Sequence, residues 1–279
     1  MALTQEETEK IVAFVRQEPR TVLDVAHLLG KSWLTADSYV RQIAERTGLM
    51  SVKVFRPGSP GALKLVYYNH AESLSGDDVK QELYLQIKAG RRKSDFDFFE
   101  VFQFVPEKGK KAFAEEFSDE DSPSKLPLAQ FLLRAEHTLT CFSGNMSFLP
   151  RKEGKRDIAS VFEELLERKV RIRVLCRLNV ATLANIGRIS HLLKKYPELI
   201  EIRHCYQPLR GYIIDDSAAR FKSEETLQQY RAGELRKNTR VFYEISDTEW
   251  VSWLQKVFWN LYRTSIDYKE REEQLSKLF

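Results

Sequence analysis

Apolar residues recur at helical spacing through the first 48 positions. Ile11, Phe14 and Val15 share one side of a helix over residues 4–17, and Glu6, Glu7 and Glu9 sit in its first turns, where negative charge suits the helix dipole. Pro19 stops it. A second helix begins near Thr21 and runs through Val22, Val25, Ala26 and Leu29 to Gly30, a C-terminal stop. After the link Lys31-Ser32-Trp33-Leu34, a third helix opens with Thr35 as N-cap, buries Val40, Ile43 and Ala44, and ends at Gly48. Two β-rich runs, 51–56 and 62–68, then flank Pro57-Gly58-Ser59-Pro60-Gly61, which predicts a hairpin with a turn-rich tip.

The pattern weakens in the middle of the chain. A polar stretch, 70–76, precedes a helix carrying Val79, Leu83, Tyr84 and Ile87, which ends in a basic cluster at 88–93. Phe96, Phe98, Phe99, Phe102 and Phe104 fit neither period cleanly, and so many aromatics need burial, expected either against the second domain or, by a slight preference, in a dimer interface. From 107 to 127 the chain is polar, charged and interrupted by proline, which predicts a mobile loop.

Beyond that loop the pattern becomes regular. Helices are predicted at 128–136, 158–168, 181–195 and 248–265, and strands at 137–142, 170–176, 199–204, 210–215 and 239–245. Such alternation predicts an α/β domain with a central, largely parallel sheet covered on both faces, whose ligands favour the strand ends. The predicted organisation is therefore a domain at 1–70, a helical linker and mobile charged loop at 71–124, the α/β domain at 125–265, and a helix or tail at 266–279.

Composition adds limits. With 279 residues and 43% hydrophobic content the chain can bury a sizeable core, and its length suits two domains. The net charge of +4 is too mild to argue nucleic-acid binding unless the charge is clustered. Cys141, Cys176 and Cys205 are far apart and odd in number, which favours reduced core thiols over disulfides or a zinc site. No signal peptide opens the chain and no apolar run reaches the roughly 20 residues of a membrane span. The expectation is a soluble cytoplasmic protein with no cofactor and no metal.

Three helices followed by a two-stranded wing resemble the winged helix-turn-helix family of DNA-binding domains, over a quarter of the chain. The resemblance implies that the third helix enters the major groove with Thr35, Asp37, Ser38, Tyr39, Arg41 and Gln42 pointing away from the core. Lys31, Lys53, Arg56 and Lys64 would add phosphate contacts from the turn and wing.

Residues 125–265 resemble the phospholipase-D-like fold, above all the version joined to a winged helix in archaeal TrmB-type transcription regulators. The resemblance rests on Leu139–Asn145, Leu165–Leu175, Arg210–Asp216 and the closing helix with Trp253, Phe258, Trp259 and Tyr262. Active members of that superfamily carry His, then Lys two residues on, then Asp five residues later. Aligned on Asp215, those positions hold Pro208 and Arg210, so the nucleophile is missing and His204 is out of register. Arg210, Asp215 and Asp216 are left as a degenerate ligand-binding site for a small-molecule effector. These resemblances imply a non-enzymatic regulator, dimeric because two recognition helices double the contacts to DNA. The alternative is a replication or repair assembly factor whose tail, Glu272, Leu275, Leu278 and Phe279, has the spacing of a sliding-clamp docking box.

Overall fold

The computed structural model describes residues 3–17, 19–55, 63–68, 78–118, 126–154, 156–231 and 233–277. The chain divides into two compact units, Met1–Gly76 and Asp77–Phe279.

In the first unit the order is α1 (Gln5–Gln17), β1 (Arg20–Thr21), α2 (Val22–Leu29), α3 (Trp33–Thr47), β2 (Met50–Phe55) and β3 (Leu63–Tyr68), with the sheet ordered β1-β3-β2. This is a winged helix-turn-helix. Thr21 starts α2: its Oγ1 accepts from Asp24 N, and Asp24 accepts in return from Thr21 N at 2.8 Å. Gly30 and Gly48 close α2 and α3 in the left-handed conformation, at φ 62 and 58. Ile11, Val15, Val25, Val40, Ile43 and Val66 are buried together beneath the three helices. The third helix begins three residues earlier than its polar pattern suggests, because Ser32, not Thr35, is its N-cap and accepts from Thr35 N. The hairpin tip at 57–61 and the polar stretch at 70–76 lie outside the described residues.

The second unit runs α4 (Asp78–Ala89), α5 (Phe99–Phe102), β4 (Lys110–Glu116), α6 (Leu128–Leu132), β5 (Thr138–Phe142), β6 (Lys152–Glu153), β7 (Arg156–Asp157), α7 (Ile158–Glu167) and β8 (Arg171–Cys176). It continues through α8 (Val180–Gly187), α9 (Ser190–Lys195), β9 (Ile200–His204), β10 (Gly211–Ile214), β11 (Ala218–Glu225), β12 (Thr239–Ile245), α10 (Thr248–Arg263), β13 (Ile266–Asp267) and α11 (Tyr268–Ser276). Eight strands form one sheet in the order β13-β9-β8-β5-β10-β11-β12-β4.

That sheet is mixed rather than largely parallel. Only β5, β8 and β9 run parallel, joined by helical crossovers. From β5 outward through β10, β11, β12 and β4 every pairing is antiparallel. The three-residue link between Ile214 and Ala218 is too short for a crossover, so β10 and β11 must be antiparallel.

Three further expectations are corrected. Lys110–Glu116, expected within a mobile loop, is the strand β4, paired with β12 over its whole length. Residues 119–125 of that segment lie outside the described residues. Of the aromatics at 96–104, Phe96, Phe98 and Phe102 are buried within the unit, where Phe98 stacks on Phe221 at 4.1 Å and Phe102 packs on Tyr243 at 4.9 Å, covering β11 and β12, whereas Phe99 and Phe104 are exposed. The boundaries also move, since α4, α5 and β4 belong to the larger unit rather than to a linker, and Ile266–Asp267 adds a strand beside β9.

Candidate functional site

On the winged unit, the outward side of α3 is organised by one acid. Asp37, expected to point away from the core, is buried, and its carboxylate takes Lys64 Nζ from β3 at 2.7 and 2.9 Å and Arg41 Nη2 at 2.8 Å. The clamp ties α3 to the wing strand and leaves the Arg41 side chain 58% exposed. Ser38 is exposed on the same stripe one turn earlier and accepts a hydrogen bond from Gln42 Nε2 at 3.1 Å.

Other predicted residues are placed differently. Tyr39 is 2% exposed and belongs to the core, because it falls on the side of α3 shared with Val40 and Ile43. It is corrected out of the interface. Thr35 is spent at the helix start, its Oγ1 2.9 Å from Ser32 Oγ. Lys31 pairs with Glu7 at 2.8 Å and lies over the Tyr39 ring. The side chain of Lys53 and the whole of Arg56 lie outside what is described.

Sequence reasoning missed the apolar part of this surface. Leu34 is 75% exposed, and Trp33 and Val54 are exposed beside Lys64, whose ammonium sits 4.9 Å from the Trp33 ring centre and which pairs with Val54 across the hairpin. Two large apolar residues directly after an N-cap serine were the signal, and it was masked by assigning 31–34 to a link.

In the larger unit, the predicted trio of Arg210, Asp215 and Asp216 is not one site. Arg210 precedes β10 and Asp215 follows it, so the two Cα atoms stand roughly 17 Å apart, at opposite ends of the strand. Asp215 adopts φ 48 and accepts from the backbone N–H groups of Glu136, His137 and Thr138 at 3.0, 2.9 and 2.7 Å. It anchors the start of β5. Asp216 is exposed in the following turn.

The Arg210 end coincides with the carboxyl ends of the parallel strands β5, β8 and β9, where α/β sheets collect ligands. The guanidinium lies against Gly144, where a Cβ would meet its Nη2 at 2.8 Å and push the arginine aside. Arg210 Nη1 donates to the carbonyls of Leu209 at 2.6 Å and Gln207 at 3.3 Å. Among the described residues no carboxylate lies within ion-pair distance of it. Burial, and then the like charge of Arg177 just beyond β8, hold its pKa down to about 10, so it stays cationic at neutral pH.

Around it, Arg177 Nε and Gln207 Oε1 are buried without a hydrogen-bond partner among the described residues. Gln207 Nε2 donates to Ser143 O at 2.9 Å. His204 is buried, its Nδ1 accepts from Leu178 N at 2.9 Å, and burial followed by the nearby charges of Arg271 and Arg177 lowers its pKa to about 4. It is neutral and committed to the backbone. Pro208 is buried against the end of α4, where a Cβ on Gly90 would meet its ring at 2.8 Å.

Cys141, Cys176 and Cys205 are free thiols. Burial pushes all three upward, Cys205 to about 11, so none is a nucleophile at neutral pH. Among the described residues no group of three or more His, Cys, Asp or Glu could hold a metal ion. No described helix is long and apolar enough to cross a membrane. Leu275, the expected first anchor of the clamp-docking box, is buried on α11, which packs on β9. That corrects its assignment as a docking residue; Leu278 and Phe279 lie outside the described residues.

Fold and surface together define an α/β protein carrying a winged helix-turn-helix unit. No protein-family model and no curated protein matches the chain. Among solved structures it is similar to TrmBL2, an archaeal chromatin protein described as showing a novel mode of DNA binding, at 17% identity and a TM-score of 0.42, covering 95% of this chain and 94% of that one. It is also similar to NucT from Helicobacter pylori, at 16% identity and a TM-score of 0.41, with 57% of this chain and 99% of that one covered. A third is Nuc, a phospholipase D family member from Salmonella typhimurium, at 13% identity and a TM-score of 0.38, with 57% and 98% covered. All three TM-scores lie below 0.5, and the fold stands on its own strand order.

Proposed function

We propose that the chain binds double-stranded DNA through α3 and the wing and acts as a transcription regulator. The observation that carries this is the Asp37 clamp: a buried acid fixes helix to wing while Arg41, Ser38 and Gln42 face solvent in the geometry a groove-reading helix needs. Arg41 can exchange one oxygen of Asp37 for a phosphate or a guanine edge at little cost, because Lys64 keeps the acid neutralised. A homodimer would place two such helices on successive half-sites.

The larger unit, in this reading, binds rather than cleaves. Pro208 fills the position of the missing nucleophile and His204 is held by the Leu178 amide, which supports a non-catalytic role. The effector it would take is a small anion at Arg177 and Arg210, and it would act by biasing the placement of the two winged helices in the dimer.

The test is duplex binding by fluorescence anisotropy at several salt concentrations. Replacing Arg41 and Gln42 by Ala is expected to weaken binding at least about tenfold and to reduce the salt slope by about 1. Unchanged affinity and slope would overturn the assignment. Genome-wide mapping of bound sites then separates a regulator, with discrete promoters, from a protein that coats DNA.

A further inference from the structure

We infer that Leu34 is a specificity residue that reads the C5-methyl group of thymine in the major groove. The inference rests on the reading of α3 as the helix that enters the groove. Along the outward stripe of α3, at helical spacing, Leu34, Ser38 and Arg41 are exposed and Gln42 is half-buried beside them. Three of these four side chains can hydrogen-bond. Leu34 cannot, and at 75% exposure it stands in solvent more fully than any other large apolar residue among those described. A single exposed leucine is ordinary on a protein surface. What sets this one apart is its place, in line with Ser38 and Arg41 on the same stripe.

The charge around Leu34 favours a polyanion as its cover over an apolar patch of another protein. Asp37 holds both Lys64 and Arg41, so the three together carry one net positive charge. The first turn of α3 holds no acid to offset the positive end of the helix dipole. Lys64 Nζ, 4.9 Å from the Trp33 ring centre, brings that charge to the border of the apolar turn. Of the groups that base pairs present in the major groove, only the thymine methyl is apolar. Leucine set against cytosine N4 or guanine O6 would exclude water from a polar atom and leave it unpaired, whereas a methyl group loses nothing by being covered. Leu34 therefore favours thymine at its own step, while Ser38 and Arg41 have hydrogen bonds to offer to the neighbouring steps or to phosphates.

The test is fluorescence anisotropy at constant salt, with the full chain and short duplexes of alternating dA-dT, or of the same sequence with dU in place of dT, which lacks only the methyl. The wild type is expected to bind the dU duplex about fourfold more weakly, as the loss of one buried methyl implies. In an alternating dG-dC duplex, 5-methylcytosine restores the same group at the same ring position and is expected to strengthen binding. Leu34→Ala is expected to bind both members of each pair alike, to keep its affinity for the dU duplex within about twofold, and to leave the melting temperature unchanged, because the side chain is largely in solvent. Leu23→Ala, which removes an exposed leucine from α2 of the same unit, is expected to keep the preference for thymine. Failure to bind any duplex overturns the DNA-binding reading and this inference with it. Binding that ignores the methyl, a preference that survives in Leu34→Ala, or one lost equally in Leu23→Ala overturns this inference alone.

Discussion

On α3 a buried carboxylate holds two cations and leaves one of them, Arg41, largely in solvent; at the end of the parallel strands the cations are the buried partners, and no described carboxylate meets Arg210. In the proposed reading the same side chain serves two kinds of anion. Arg41 is charge-balanced by Asp37 and largely exposed, which in the proposed reading suits an extended polyanion that contributes one phosphate among many. Arg210 is buried against Gly144, donates to two backbone carbonyls and has Glu224 only as a distant counter-charge, which in the proposed reading suits a small anion. Where the counter-charge sits, and not the presence of arginine, distinguishes the two surfaces.

The largest way to break the contrast is to remove the acid on α3. Asp37→Asn strands Lys64, only 14% exposed, beside a neutral amide, and is expected to destabilise the winged unit by about 3 kcal/mol in denaturant unfolding. A change below about 0.5 kcal/mol would mean that the clamp does not hold the wing. The second effect belongs to the sheet end and is a pH dependence. His204 is neutral when folded, with its pKa down at about 4 against an ordinary 6.5, so the unfolded chain binds a proton first as pH falls. Stability present above about 6.5 is therefore lost between 6.5 and 4, by on the order of 2 kcal/mol. His204→Asn, which keeps an acceptor for Leu178 N, is expected to flatten that part of the profile in chemical denaturation; an unaltered profile assigns it to other groups.

The smallest effect is the most specific. Arg177→Gln removes the like charge facing Arg210 and is expected to raise stability slightly in anion-free buffer, on the order of 0.5 kcal/mol. Inorganic phosphate is expected to stabilise the wild type by about 1.4 kcal/mol at ten times its dissociation constant, and to leave the variant unmoved. If phosphate shifts neither protein in a thermal melt, the two arginines serve the fold alone.

The winged unit was legible in the sequence because its elements are short-range: helical spacing, Gly30 and Gly48 as stops, and a proline-glycine turn are all local signals. Its outward face was less so. Asp37 looks like an exposed helix residue until Lys64, 27 residues away, closes over it. In the larger unit the parallel strands were visible as apolar runs, whereas β11, with only Ala218, Ala219 and Phe221 buried, and the charged β4 carry too few core residues to show a period. Their strand character comes from partners supplied elsewhere in the chain. Reading Arg210 to Asp215 as one strand was sound, but a strand has two ends, and the same reading that found it merged residues the pleat holds apart.

The position of β4 also bears on how the chain is made. Its partner β12 is synthesised about 120 residues later, which at ribosomal speed is roughly 6 to 25 s. Throughout that interval β4 is without its intramolecular neighbour, and nascent chains on adjacent ribosomes of one message carry the same unpaired segment. The order of synthesis thus leaves β4 open to a wrong partner until β12 emerges.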